Sequence, residues 1–170
     1  MKRFFLFLFV IVLISSCKSN QVTAPSIQGM IYNDNNEPVS DVRIHIDNKQ
    51  VAISDIYGHF ALSHLDYGET YTLSFIKENY ESVKIDLSYL NHTQVIYVHM
   101  FSAKELLAKA KDKVKQKDYN EALALLERSS NTGGNFLSIN YLTSVIYYIK
   151  KDHEKALKIA QEILNLGYKD

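Results

Sequence analysis

A chain of 170 residues accommodates one ordinary domain or two small ones. Hydrophobic residues make up 46% and charged residues 22%, which excludes a disordered chain. A single cysteine excludes a disulfide framework and every multi-cysteine zinc or iron–sulfur site, and 19 bases against 19 acids argue against a nucleic-acid partner.

The neutral total conceals three unlike segments. Residues 1–16 hold two bases and no acid, residues 17–100 five bases and ten acids, and residues 101–170 twelve bases and nine acids. The first segment opens on Met1-Lys2-Arg3 and continues as an unbroken apolar run from Phe4 to Ile14. As a helix that run spans roughly 16 Å, too short for a hydrocarbon core of about 30 Å. A charged start, a short apolar run and small residues at its end predict a secretory signal peptide over 1–16. The tract Leu13-Ile14-Ser15-Ser16-Cys17 resembles the lipobox of bacterial lipoproteins. The resemblance implies cleavage before Cys17 and attachment of palmitate-type acyl chains there. Two or three such chains would anchor a protein stably where one would not. A plain signal peptide with an incidental cysteine is the other reading. Residues 17–25 then form a lipidated polar tether. Lys18 stands where enteric bacteria place an inner-membrane retention Asp, which favours the outer membrane.

Residues 26–101 alternate with period two. Val42, Ile44 and Ile46, then Tyr71, Leu73 and Phe75, then Val83, Ile85 and Leu87 each interleave with polar residues. Turn residues separate them at Asp34 to Pro38, Asp47-Asn48, Tyr57-Gly58, Asp66 to Gly68 and Asn91-His92. About seven short strands at this spacing predict an all-β sandwich. The run Ile27 to Tyr32 with a glycine, then Glu37-Pro38-Val39 leading to Val42, then Ser54-Asp55-Ile56-Tyr57-Gly58-His59-Phe60, then Tyr71 to Phe75, resembles the carboxypeptidase regulatory-like domain. That family is a prealbumin-like (transthyretin-like) sandwich. The resemblance implies a structural or binding module without catalytic residues of its own. Asp55 and Gly58 suit a tight turn, and Phe60 is expected in the core.

At Ser102 the period changes to 3.6. Ser102 with Glu105 forms a capping-box signature. Leu106, Leu107, Ala110 and Val114 share one helical face, and Ala156, Leu157, Ala160, Ile163 and Leu164 form another apolar stripe. Lys117-Asp118-Tyr119-Asn120-Glu121-Ala122-Leu123 aligns with Lys151-Asp152-His153-Glu154-Lys155-Ala156-Leu157. The offset from Lys117 to Lys151 is the length of one tetratricopeptide repeat, and the pattern resembles that family, with Ala122 and Ala156 as its small residues. Lys109 and Thr143 depart from the family pattern, which places a large apolar residue there. A generic pair of helical hairpins is the other reading. Two repeats are fewer than a solenoid usually needs, so extra cover is expected from the sandwich, a second copy or a partner. The resemblance maps a concave groove onto Lys104, Leu107, Lys111, Val114 and Lys115, then Ser138, Tyr141, Val145, Tyr148 and Ile149. Such a basic and aromatic groove suits an acidic peptide. Alternatively, Tyr141 and Tyr148 pack against neighbouring helices.

No HExxH, phosphate loop, GxSxG or CxxC is present, and no cofactor or metal site is expected. His59 and His64, near Asp55 and Asp66, are the nearest approach to a ligand cluster; they read as surface histidines beside turns. The expected architecture is therefore α+β in two modules, residues 26–101 and 102–170. The expected role is a non-catalytic interaction or scaffold module, lipid-anchored in a bacterial cell envelope, with an envelope protein or peptide partner. A homo-oligomer stays open. Two other readings are a glycan- or peptide-binding accessory of an uptake system, with Tyr57, Tyr67 and Tyr89 as candidate exposed aromatics, and an accessory of outer-membrane assembly or secretion. The opposite net charges of the two modules predict that they dock.

Overall fold

A computed structural model describes residues 26–167. The expected signal peptide, Cys17 and the tether lie outside the described residues. Seven strands come first: β1 Ile27–Tyr32, β2 Arg43–Ile46, β3 Lys49–Ile53, β4 His59–Leu62, β5 Thr70–Ile76, β6 Val83–Ser88 and β7 Val95–His99. Four helices follow: α1 Ala103–Lys115, α2 Tyr119–Asn131, α3 Phe136–Ile149 and α4 His153–Gly167. The architecture is the expected one, a β-sandwich followed by helices.

The strands form a three-stranded sheet, β4-β1-β7, and a four-stranded sheet, β3-β2-β5-β6. Neighbours are antiparallel except β1 and β7, which run parallel. The alternating residues place Ile27 and Ile31, Phe60 and Leu62, Leu73 and Phe75, and Ile96 and Val98 between the sheets. Gly29 and Phe60 are cross-strand partners. A Cβ on Gly29 would lie 2.1 Å from the Phe60 ring, so the bare glycine makes room for that ring. The ring meets Phe75 of the opposite sheet edge-on, with centroids 5.5 Å apart.

The Ser54-to-Phe60 signature has a local cause at each position. Buried Ser54 accepts the Val42 amide and donates to the Val39 carbonyl. The Asp55 carboxylate accepts the amides of Tyr57 and His59, and the Gly58 amide donates to the Asp55 carbonyl. Gly58 has φ +74°, and a Cβ there would lie 2.3 Å from the Ile31 carbonyl oxygen.

Each helix begins at the polar residue its sequence supplies. The Ser102 amide donates to the Glu105 carboxylate at 2.8 Å and the Glu105 amide returns to the Ser102 hydroxyl, a complete capping box. Asp118, Asn135 and Asp152 accept from Glu121, Ser138 and Lys155. Lys155 also holds the Asp152 carboxyl below the usual carboxylate range, first through its side-chain hydrogen bond. The turns that close the two hairpins repeat in detail. Lys117 and Lys151 both have φ 63°, and the amides of Lys117, Asp118, Lys151 and Asp152 donate to Val114, Lys113, Tyr148 and Tyr147. The acceptors are themselves repeat equivalents, Val114 with Tyr148 and Lys113 with Tyr147. A second core, with Leu106, Ala110, Ala122, Leu125, Leu126, Ile139 and Ile146 at its centre, lies among α1, α2 and α3.

The two modules meet without a linker. The Glu81 amide donates to the Phe101 carbonyl, and the Ala103 amide donates to the Asn79 carbonyl. Asn79 is left-handed, a conformation that asparagine tolerates. Tyr80 bridges Ser102, and burial first, then Glu105 and Glu37, push its phenol upward. Arg128 makes two hydrogen bonds to Glu81, at 2.9 and 2.7 Å, which hold its guanidinium charged, and it lies over the Phe101 ring. Lys109 pairs with Asp34 at 2.8 Å and also faces Phe101. Of the two residues that depart from the repeat pattern, Lys109 is thus a contact to the sandwich.

Gly58→Ala meets both the left-handed backbone and the Ile31 carbonyl, whereas Gly68 (φ +89°) has nothing within 4 Å. In urea denaturation Gly68→Ala is expected to cost about 1 kcal/mol, and Gly58→Ala at least about 2 kcal/mol more. Equal losses would reject the steric account of Gly58. Arg128→Ala removes a pair that is partly exposed, so its expected cost is only about 0.5–1 kcal/mol in the same measurement.

Candidate interaction groove

The outer flank of each hairpin has a different chemistry. Between α1 and α2 the surface away from α3 is lined by Lys109, Asp112, Lys113, Gln116, Glu121 and Arg128, around Phe101 and Leu125. Charged side chains finish that flank, and two of them, Lys109 and Arg128, pair with the sandwich. Between α3 and α4 the outer surface is a groove of about 590 Å³, lined by Ser144, Val145 and Tyr148 of α3 and His153, Ala156, Leu157 and Ala160 of α4. Among the described residues no Asp, Glu, Lys or Arg lines it.

The local sequence explains why the groove stays apolar and open. The stripe Ala156, Leu157, Ala160, Ile163 and Leu164 is too wide for one neighbour. Ala156 is buried, whereas Leu157 is 68% exposed and Leu164 59% exposed. Tyr148, 67% exposed, stands on the rim with its ring against His153, centroids 5.4 Å apart. Contiguous exposed apolar surface rimmed by polar residues marks interaction sites more often than isolated apolar residues do.

The residues mapped onto a concave groove are distributed over more than one cleft. Val145 and Tyr148 line the α3/α4 groove. Tyr141 is exposed on α3 but is not among its lining residues. Leu107 and Val114 pack against the helical core. Lys104 lies in a cleft between α1 and the β1–β2 turn, with Asn33, Asp34 and Glu37. Lys115 is held at 2.7 Å by Asp112, and Lys111 is exposed. In the sequence the α4 half of the groove is only part of an apolar stripe, not a predicted binding surface. Its signal was present in the repeat alignment, which carries Leu123 onto Leu157 and Leu126 onto Ala160.

The remaining candidates are scattered. His59 lies 3.7 Å from Asp55, both exposed, and His64 is exposed on its own turn. Among the described residues no group of three His, Cys, Asp or Glu side chains is placed to hold a metal ion. Of the three aromatics expected to be exposed, Tyr57 and Tyr67 are, but Tyr89 is 2% exposed. It packs under Tyr67 and its hydroxyl bonds His92. Tyr57 belongs to the Asp55–Gly58 turn, away from that cluster, so the three make no common platform. Among the described residues no helix is long and apolar enough to cross a membrane.

No family model and no curated protein sequence matches the chain. Among solved structures it is similar to chains of two interface mutants of a type II cohesin–X–dockerin complex from Acetivibrio cellulolyticus. Both are 18% identical, with TM-scores of 0.40 and 0.39, over 47% and 46% of this chain. The match spans 59% and 58% of the length of those chains. It is also similar to the C-terminal domain of the Caf1A usher, at 10% identity and a TM-score of 0.34, over 45% of this chain and 97% of that one.

Leu157→Glu places a charge where the side chain is already wet, so stability is expected to change by no more than about 0.5 kcal/mol. Leu126→Glu, in the buried repeat equivalent of Ala160, is expected to abolish the helical fold. Thermal melts followed by far-ultraviolet circular dichroism compare the two. Similar losses would mean that the groove is not an open surface.

Proposed function

We propose that this protein is a membrane-anchored, non-catalytic interaction module of a bacterial cell envelope. In this reading Cys17 carries the lipid, the sandwich is a spacer, and the α3/α4 groove receives a protein partner. The observation that carries it is the contrast between the two hairpin flanks: one is finished with charges, the other is apolar and exposed. A protein whose only task was to fold would gain solubility by charging both. The lipobox-like tract supplies the anchor, and Lys18 favours the outer membrane. The scattered histidines and the separated tyrosines give catalysis or glycan binding no assembled site among the described residues.

The test is cross-linking in intact cells followed by capture of the tagged full-length chain. A protein partner is expected, and Leu157→Glu is expected to reduce its recovery. Cys17→Ser is expected to shift the chain from the membrane to the soluble fraction. No partner at any cross-linker length would defeat the interaction reading. Unchanged membrane association of Cys17→Ser would defeat the lipid anchor.

A further inference from the structure

The groove's own repeat equivalent is already occupied within this molecule. Moved back by one repeat, Tyr148, His153, Ala156, Leu157 and Ala160 become Val114, Tyr119, Ala122, Leu123 and Leu126. All five earlier residues belong to the helical core or pack against it. What covers them is α3, which presents Ile139, Leu142 and Ile146, an apolar row at i, i+3 and i+7. The turns that set each hairpin's geometry also repeat, down to φ 63° at Lys117 and Lys151 and the equivalent carbonyl acceptors. The open groove therefore continues the interface of α3 with the first hairpin, one repeat further along.

Building on the proposed interaction role, we infer that the groove binds a single amphipathic α-helix of the partner protein, in the position α3 takes on α1 and α2. The helix carries large aliphatic side chains at i, i+3 and i+7. Two substitutions between the repeats sharpen its chemistry. Leu126 becomes Ala160, which lowers the groove floor, and Val114 becomes Tyr148, which raises one wall. The side chain over Ala160 should therefore be larger than its equivalent on α3, an aromatic ring in place of an aliphatic group. Among the described residues the lining holds no acidic or basic side chain, so charges on the ligand belong on its outward face.

The probe is a synthetic stapled helix with Ile, Phe and Ile at i, i+3 and i+7 and Glu and Lys elsewhere. A scrambled peptide of the same composition is the control, and both are titrated against the purified full-length chain by fluorescence anisotropy. Saturable binding of the patterned helix is expected, with the scrambled peptide weaker by about tenfold or more. Leu157→Glu and Ala160→Glu should each weaken binding by a similar factor, while Lys104→Ala leaves it unchanged. Equal binding of both peptides, or of wild type and Leu157→Glu, overturns the inference. So does concentration-dependent dimerisation that Leu157→Glu abolishes, because the occupant is then a second copy. If cells yield a partner that the patterned helix fails to displace, the interaction role stands and the helical ligand falls. If the helix binds but no cellular partner is captured, the helical ligand stands and the proposed role falls.

Discussion

A helical hairpin has two flanks, and one neighbouring hairpin buries only one of them. Two hairpins stacked side by side therefore bury the inner flanks against each other and leave two outer flanks to water. Here the inner flanks meet through Ala110, Ala122, Leu126, Ile139 and Ile146. One outer flank is made compatible with water by Lys109, Asp112, Lys113, Glu121 and Arg128, and two of those cations reach across to the sandwich. The other keeps Leu157, Leu164 and Tyr148 exposed. Small residues keep the hairpins close and also leave the open groove deep. Ala156, buried beside α3, lines it where a larger residue would push α4 outward.

The opposite net charges of the modules are realised in few contacts. Arg128 with Glu81 and Lys109 with Asp34 are partly exposed pairs, each worth about 0–1 kcal/mol. The stronger coupling is in the backbone. Asn79 lends its carbonyl to the Ala103 amide across the junction, Phe101 accepts from Glu81 just before it, and Ser102 both bridges Tyr80 and caps α1. The last strand thus runs into the first helix with the Ala103 and Glu105 amides already partnered. Charge biases the modules toward each other, whereas the junction geometry determines where the helices sit.

Much of this fold is legible in the residues because its causes are local. Asp55 with Gly58, Ser102 with Glu105, and Lys-Asp before α2 and α4 each specify a turn or cap within a few positions. Sheet order is not local: nothing between β1 and β7 announces that they pair in parallel. Lys109 looks like a flaw in a repeat until Asp34, distant in sequence, is seen beside it. The candidate site was half legible for the same reason. Periodicity shows that Ala156, Leu157, Ala160 and Leu164 share a face. Which of them is covered depends on a neighbour that α1 and α2 possess in α3 and that the second hairpin does not have among the described residues.

The order of parts along the chain gives the groove its setting. Under the proposed anchoring, lipid at Cys17 is followed by a short tether over 17–25, with a reach of roughly 30 Å when extended. In chain order the sandwich stands between that tether and the helices, and the open groove belongs to the second of the two described hairpins. An apolar groove next to a membrane would compete for lipid tails, and under the proposed anchoring the sandwich would separate the groove from them. A partner confined to the same surface then encounters the groove at a raised effective concentration, so a contact of modest intrinsic affinity suffices. A single helix laid against two others buries a modest area, and weak, reversible docking at a crowded surface is the regime in which such an interface works.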